Sequence, residues 1–395
     1  MILSERHIIK NSELFNELDN MCFLSKNLYN KGLYIVRQHF FNTEKYLNYN
    51  ALENILKKSN DVDYYALPTK VSQQILMVLD NNFKSFFKLL EKKKKGLYNE
   101  KVKIPKYLDK DSRNLLIFTS QAISKKFIKN GIIKLSNVKS TIKTKVKTIK
   151  QVRIIHKGRH VVVEVLYEKS SKDIVTNNRY AAIDLGLNNL ATISSNVTKP
   201  FIVNGKPLKS INQYYNKVKA DFQSKLKNNE KYSKRISSLS LKRNNKINDY
   251  LHKSSTFIVN YLVSNNISML IVGHNKEWKQ NIKIGKKNNQ NFVSIPHSRF
   301  KELLKYKCEL EGIKYIEIEE SYTSKCSFLD NEEICKHTSY KGKRVKRGLF
   351  KSNDGTLINA DVNGSLNILK KVVGNFDYDP IEVCSTPSVY TVKFN

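Results

Sequence analysis

No stretch of the 395-residue chain reaches the roughly 18 consecutive apolar residues of a membrane-crossing helix, so no transmembrane span is expected. The N-terminus, Met1 to Lys10, lacks the charged-then-apolar order of a secretion signal, and a cytoplasmic location is expected. Cysteine is sparse. The five present, Cys22, Cys308, Cys326, Cys335 and Cys384, are odd in number and widely scattered, which argues against a disulfide framework. Acidic side chains are the main deficit: 35 Asp and Glu against 70 Lys and Arg leave a formal charge of +35. A field of that sign attracts polyanions. Nucleic acid is favoured over an anionic membrane surface, because every phosphate neutralised releases counterions. With 40% apolar residues and 395 positions, the chain can bury a core without staples and is long enough for two or three domains.

From about Asn11 to Tyr107 apolar residues recur at helical spacing, as in Ile75, Val78, Leu79, Phe83, Phe86, Phe87 and Leu90. The same unit carries Lys92, Lys93, Lys94 and Lys95, either a solvated loop or a phosphate contact. Between about Leu115 and Tyr167 the period shortens to two. Ile142, Thr144, Val146 and Thr148 alternate with Lys143, Lys145 and Lys147, and a hairpin turns near Lys157 and Gly158, predicting a small antiparallel barrel. Its lysine-lined face is either ordinary surface or a groove that tracks a backbone. From Arg179 onward strands and helices alternate: strands at Tyr180–Asp184 and near Ala191–Ser194, a basic helical stretch from about Pro207 to Asn265, a strand at Ser268–Val272, a helix from Pro296 closed by Gly312, and a strand at Lys314–Glu320. That order predicts a largely parallel sheet in an α/β unit. A basic segment, about Lys336 to Gly355, precedes a last helix from Asp361 to about Val373, and the tail beyond Gly374 is expected to be loosely held.

Two aspartates are candidates for chemistry. Asp184 ends an apolar strand where it breaks into a glycine turn, which sets a charge at the rim of a sheet. Asp361 opens a helix whose apolar stripe is Val362, Leu366, Leu369 and Val373. Each also has a plainer reading, Asp184 as a turn residue and Asp361 as a helix cap.

Four ordered segments change the balance. Ala182 to Ala191, Ile271-Val272-Gly273-His274-Asn275-Lys276-Glu277-Trp278-Lys279-Gln280, Glu319-Glu320-Ser321-Tyr322-Thr323-Ser324-Lys325 and Asn359 to Ile368 together resemble the RuvC-like core of the TnpB (OrfB-type) proteins. These are RNA-guided DNA endonucleases of insertion sequences, related to the type V CRISPR effectors and the Fanzor proteins. The resemblance implies an α/β RuvC/ribonuclease H-like nuclease core, residues 179–324 and 357–373. Ahead of it would stand an antiparallel β-barrel (wedge), 1–10 and 115–178, with an inserted helical recognition domain, 11–114. A target-nucleic-acid-binding insert, 325–356, and a tail, 374–395, complete the layout. It also implies two Mg²⁺ ions, a guide RNA derived from the mobile element, double-stranded target DNA cut beside a short flanking motif, and no membrane partner. Cutting a phosphodiester with two metal ions requires hard carboxylate oxygens converging from separate elements.

Here the chain departs from the pattern of the family it resembles. Most TnpB proteins place a glutamate at the end of the strand that here reads Leu270-Ile271-Val272, and this chain has Gly273. Glu320, Glu319 and Glu277 are the available substitutes. Ile316, Ile318 and Glu320 alternate onto one strand face, so Glu320 alone continues an apolar face, and some TnpB lineages look similar in carrying a glutamate just before Thr-Ser-Lys. The expected metal ligands are therefore Asp184, Glu320 and Asp361, with Glu319 and Glu277 as alternatives. The insert is commonly a four-cysteine zinc ribbon in the family; Cys326, Cys335 and His337 lack a fourth ligand, so zinc is not expected. Its basic run, including Lys343, Arg344, Lys346 and Arg347, is expected to hold phosphates. Trp278 is read either as a base-stacking or as a packing residue. Two rival functions share the fold: a nuclease-inactive RNA-guided DNA-binding repressor, and a transposase proper.

Overall fold

The computed structural model describes residues 1–10, 12–226, 230, 233–275, 285, 289–290 and 294–394, which divide into two compact units, Met1–Ser170 and Ser171–Asn395. In the first unit, strand β1 (Ile2–Ile9) is followed by helices α1 (Glu13–Thr43), α2 (Tyr49–Lys58), α3 (Val62–Tyr65) and α4 (Thr69–Lys94). Ser12 caps α1 by accepting from the Phe15 amide at 3.1 Å. Leu18, Leu28 and Leu33 of α1 share a buried cluster with Leu76, Leu79 and Phe83 of α4, of which Leu79 and Phe83 belong to the apolar spacing read from the sequence. Close approach is possible at Gly32, where a Cβ would meet Leu79 and Leu76 methyls at 3.1 and 3.2 Å.

Strand β2 (Leu116–Thr119), the short helix α5 (Lys125–Ile128) and strands β3 (Ile132–Ile133), β4 (Ile142–Lys143), β5 (Gln151–His156) and β6 (Val161–Glu168) complete this unit. The predicted barrel takes a different form. Strands β1-β6-β5-β2 make an open antiparallel sheet, and β3 and β4 pair separately. The alternating run is strand only at Ile142–Lys143, because the amides beyond it are diverted. Glu5 accepts from the Lys145 amide and the Thr144 hydroxyl, both at 3.2 Å, while the Thr144 oxygen takes the Val146 amide at 3.0 Å. The alternation itself persists: Ile142, Thr144 and Val146 are buried and Lys143, Lys145 and Lys147 exposed.

The second unit is built on a six-stranded mixed sheet. Strands β7 (Tyr180–Leu185), β8 (Asn189–Ser195) and β9 (Phe201–Asn204) form an antiparallel meander. Helices α6 (Lys206–Ser224) and α7 (Lys234–Ser264) lead to β10 (Met269–Gly273), parallel to β7. Helix α8 (His297–Leu310) leads to β11 (Lys314–Ile318), parallel to β10. Next come two strands of the basic segment, β12 (Lys343–Lys346) and β13 (Leu349–Lys351), then β14 (Leu357–Asn359) and helices α9 (Ala360–Val373) and α10 (Pro380–Cys384). Finally β15 (Ser388–Tyr390) completes the order β11-β10-β7-β8-β9-β15.

Period-two alternation decides what each face of this sheet sees. Ala181, Ile183, Leu270 and Val272 pack under α7 and α8 with Ile258, Leu262, Phe300 and Leu304. Ala182 and Ile271 face α9, meeting Ile368 and Leu369. The tail, expected to be loose, is instead tied down. β15 extends the sheet edge, Tyr390 lies 5.0 Å from Phe257 and 5.7 Å from Phe201 between ring centres, and Phe394 lies 5.2 Å from Tyr250. No helix among the described residues is long and apolar enough to cross a membrane.

Candidate active site

The alternation that turns Ala182 and Ile271 toward α9 also turns Asp184, at the end of β7, and Gly273, at the end of β10, toward the same helix. Helix α9 approaches through a glycine. A Cβ at Gly364 would lie 2.8 Å from Asp184 Oδ2, so only the missing side chain there lets the aspartate stand under the helix. The Ser194 and Ser365 hydroxyls bond to each other and pin α9 over β8. The turn after Asp184 is closed by backbone, Gly186 N donating to Leu190 O at 3.3 Å. Capping of α9 is likewise done by a neighbour, since Asn359 Oδ1 accepts from the Asp361 and Val362 amides at 2.9 and 3.2 Å. The plainer readings of the two aspartates, turn former and helix cap, are thus filled by other groups, and both carboxylates are left for other work.

Glu320 follows β11, and its alternation with Ile318 brings it to the face of the sheet that α9 covers. A Cβ at Gly273 would fall 2.7 Å from Glu320 Oε2, 3.3 Å from Glu320 Cβ and 2.5 Å from Ile368 Cδ1. The glutamate from β11 therefore leans across the space that a side chain at the end of β10 would fill. Glu320 Oε1 accepts from Asn275 Nδ2 at 3.0 Å, whereas Oε2 is buried with no hydrogen-bond partner. The backbone beneath is fixed by α9, whose buried Asn363 and Asn367 amides donate to the carbonyls of Cys326 and Thr323 at 2.8–2.9 Å. Thr323 in turn donates to the Glu320 carbonyl through its hydroxyl, at 2.9 Å.

Electrostatics ties the three acids together. Burial first, and then the charges of Glu320 and Asp361, push the Asp184 carboxyl well above the usual range, against the opposing pull of Arg344. Burial also raises Glu320, opposed by Lys301. Groups whose negative charge is so disfavoured, with one buried oxygen unpartnered, make a donor set suited to a hard divalent cation. Asp361 is drawn elsewhere: Asn189 donates to Oδ2 at 2.6 Å and Arg344, from β12, to Oδ1 at 3.2 Å. Among the described residues no three His, Cys, Asp or Glu side chains close around a single point.

The other expected site residues fall as follows. Glu319 is exposed and accepts from the Ser321 hydroxyl at 2.8 Å. Glu277, with Trp278, lies outside the described residues. Lys92, Lys93 and Lys94 form the exposed end of α4, and Lys343, Lys346 and Arg347 are exposed on and beside β12. In the insert, Cys326 Sγ lies 3.6 Å from the Cys335 carbonyl, and Cys335 Sγ lies 3.4 Å from His337 Nε2. The buried Glu332 binds backbone instead, accepting from the Ser327 and Lys341 amides at 2.7 and 2.9 Å. Asn189 and Asn275, which hold two of the three carboxylates, lie within the quoted motif segments, but their role is not legible there, because no pattern of spacing announces the partner of an amide side chain.

Residues 160–279 match the family model described as OrfB_IS605, probable transposase, and residues 297–368 match the Cas12f1-like TNB domain. The TnpB-like protein ORF457 of Acidianus two-tailed virus is 27% identical over 398 residues, spanning 91% of this chain and 84% of that relative. Among solved structures, Cas12f1 from a cryo-EM complex with sgRNA and target DNA superposes with a TM-score of 0.53 at 15% identity. That likeness, one of fold, covers 90% of this chain and 82% of that one. The chain is thus similar to TnpB-like and Cas12f1-like proteins in its family matches and in a relative along nearly its whole length, and to Cas12f1 in fold.

Proposed function

We propose that the chain is an RNA-guided, Mg²⁺-dependent endonuclease of double-stranded DNA, encoded by a mobile element, with Asp184, Glu320 and Asp361 as its metal ligands. The observation that carries the reading is the Glu320 carboxylate, which lies over Gly273 with one oxygen buried and unpartnered, coupled by charge to Asp184. Magnesium bound there would activate water and stabilise the leaving oxygen of a phosphodiester. The protein's own part is to supply and orient the ligands. Asp184 is fixed by the sheet, Glu320 by the Asn275 amide and Asp361 by the Asn189 amide. Arg344 stands at the same centre and would take a phosphate of the scissile strand, releasing Asp361 as it does so. Lys343, Lys346 and Arg347 extend that contact along the backbone.

A guide RNA from the end of the mobile element would read the target by pairing. The first unit, with Lys92, Lys93, Lys94, Lys143, Lys145 and Lys147, would grip backbone and recognise a short flanking motif. The test is to purify the protein from cells, sequence the RNA that accompanies it and incubate the complex with Mg²⁺ and a plasmid library carrying the matching target. Cleavage beside one short motif, lost in Asp184→Asn, is the expected result. Bound RNA without cleavage would replace the reading by a guided repressor, and absence of both would remove it.

A further inference from the structure

Helices α6 and α7 leave between them a groove of about 910 Å³ that plays no part in the site above. Tyr214, Tyr215 and Phe222 line it from α6, facing Arg235, Lys242 and Lys246 of α7, and no acidic residue lines it among the described residues. Tyr214 is 66% exposed, an aromatic ring displayed rather than packed. Tyr215 is held as a platform. Its hydroxyl lies 3.0 Å from Ser240 Oγ, with Lys219 and Arg243 at 5.8 and 5.4 Å from its ring centre. Arg243 is itself fixed, donating to Asn212 Oδ1 at 2.8 Å and to the Ser294 carbonyl at 3.0 Å. Flat apolar rings interleaved with uncompensated cations suit a ligand that has both flat faces and negative charge. Nucleotides of an unpaired strand have both, whereas a duplex keeps its base faces within its own stack.

The groove begins close to the candidate active site. Gly205 N, immediately before α6, donates to Asn188 O at 2.7 Å, and a Cβ at Gly205 would lie 2.3 Å from Leu187 O, so the helix starts pressed on the turn that carries Asn189. Ser210, the first groove residue, is about 8 Å further along the helix at about 1.5 Å per residue, and Phe222 about 18 Å beyond that. We propose that this groove is a track for unpaired DNA, holding several nucleotides of the strand that enters or leaves the active site. Bases stack on Tyr214 and Phe222 and phosphates meet Arg235, Lys242 and Lys246. The inference rests on the nuclease reading for the source of the strand, while the chemistry of the groove stands without it.

The test uses the full chain and a short fluorescein-labelled oligodeoxythymidylate, with binding read by anisotropy at fixed salt. Tyr214→Ala should weaken binding about tenfold, the worth of one lost base stack. Lys242→Ala with Lys246→Ala should reduce the slope of affinity against salt. Both sites are exposed, so melting temperature should hold. In addition, bromodeoxyuridine in the oligonucleotide should photocrosslink to the peptide spanning Tyr214 to Phe222. Unchanged affinity in Tyr214→Ala with crosslinks elsewhere would overturn the proposal. So would the same Tyr214-dependent binding shown preferentially by oligouridylate, which would make the groove an RNA site, or by duplex DNA. If Tyr214→Ala binds normally while the complex still cuts, the groove reading alone falls; if binding weakens in a protein that never cuts, the nuclease reading alone falls.

Discussion

If Glu320 does the work that a residue at the end of β10 would otherwise do, the carboxylate should be movable back. On that reading Glu320→Ala removes one of the three proposed metal ligands. A metal centre supplies several kcal/mol of transition-state stabilisation, and 1.36 kcal/mol is tenfold in rate, so loss of a ligand predicts cleavage slower by about a thousandfold. Adding Gly273→Glu returns a carboxylate whose Cβ stands 3.3 Å from where the Glu320 Cβ was, within reach of the same volume. The new side chain must displace Ile368 Cδ1, 2.5 Å from that Cβ, an overpacking worth about 1–3 kcal/mol of stability. The double variant should therefore melt earlier than the parent yet cut at least about tenfold faster than Glu320→Ala. Gly273→Glu alone, with both glutamates crowded together, should be slow and unstable. The assay is single-turnover cleavage of a guide-matched duplex at saturating Mg²⁺. A folded double variant no faster than Glu320→Ala, or full activity in Glu320→Ala, would refute the reasoning.

Three further outcomes follow from individual contacts. Because Asp184 is raised above its ordinary range, the folded protein binds more protons than the unfolded chain in the window just above that range, and stability falls as pH rises through it. Metal-free Asp184→Asn should therefore melt higher than the parent at neutral pH, by about 2–4 °C per kcal/mol relieved, with the gap shrinking in acid; differential scanning calorimetry decides it. Arg344→Ala frees the Asp361 carboxylate and should tighten Mn²⁺ binding by up to about fivefold, since a half-exposed ion pair is worth at most about 1 kcal/mol, while weakening target DNA binding. Glu332→Ala strands the Ser327 and Lys341 amides and should speed hydrogen exchange across 327–341, whereas EDTA added to the parent should not; exchange sensitive to EDTA there would point to zinc.

The sequence was most legible where one physical rule acts alone. Period two along β7, β10 and β11 placed Ala182, Ile271 and Ile318 on one face and so carried Asp184, Gly273 and Glu320 to it. The apolar spacing of α1, α4 and α9 did the same for helices. What stayed hidden depends on contacts between distant segments. The Lys145 amide leaves the ladder for Glu5 and the Val146 amide for the Thr144 hydroxyl oxygen, which ends a strand that alternation alone would extend. The tail has no periodicity of its own, and β15 forms because β9 offers an open edge lined by Phe201. The role of Gly273 could be posed from the motif, but that its emptiness admits Glu320 required the packing of β10 against α9.

The central claim, that Asp184, Glu320 and Asp361 are ligands of one metal centre, is tested most directly by electron paramagnetic resonance with Mn²⁺ standing in for Mg²⁺. Titrated into the purified protein, Mn²⁺ should bind at about two ions per chain, and Asp184→Asn, Glu320→Gln and Asp361→Asn should each lose bound metal while Glu319→Gln does not. Equal Mn²⁺ binding in the parent and in all three variants would contradict the account.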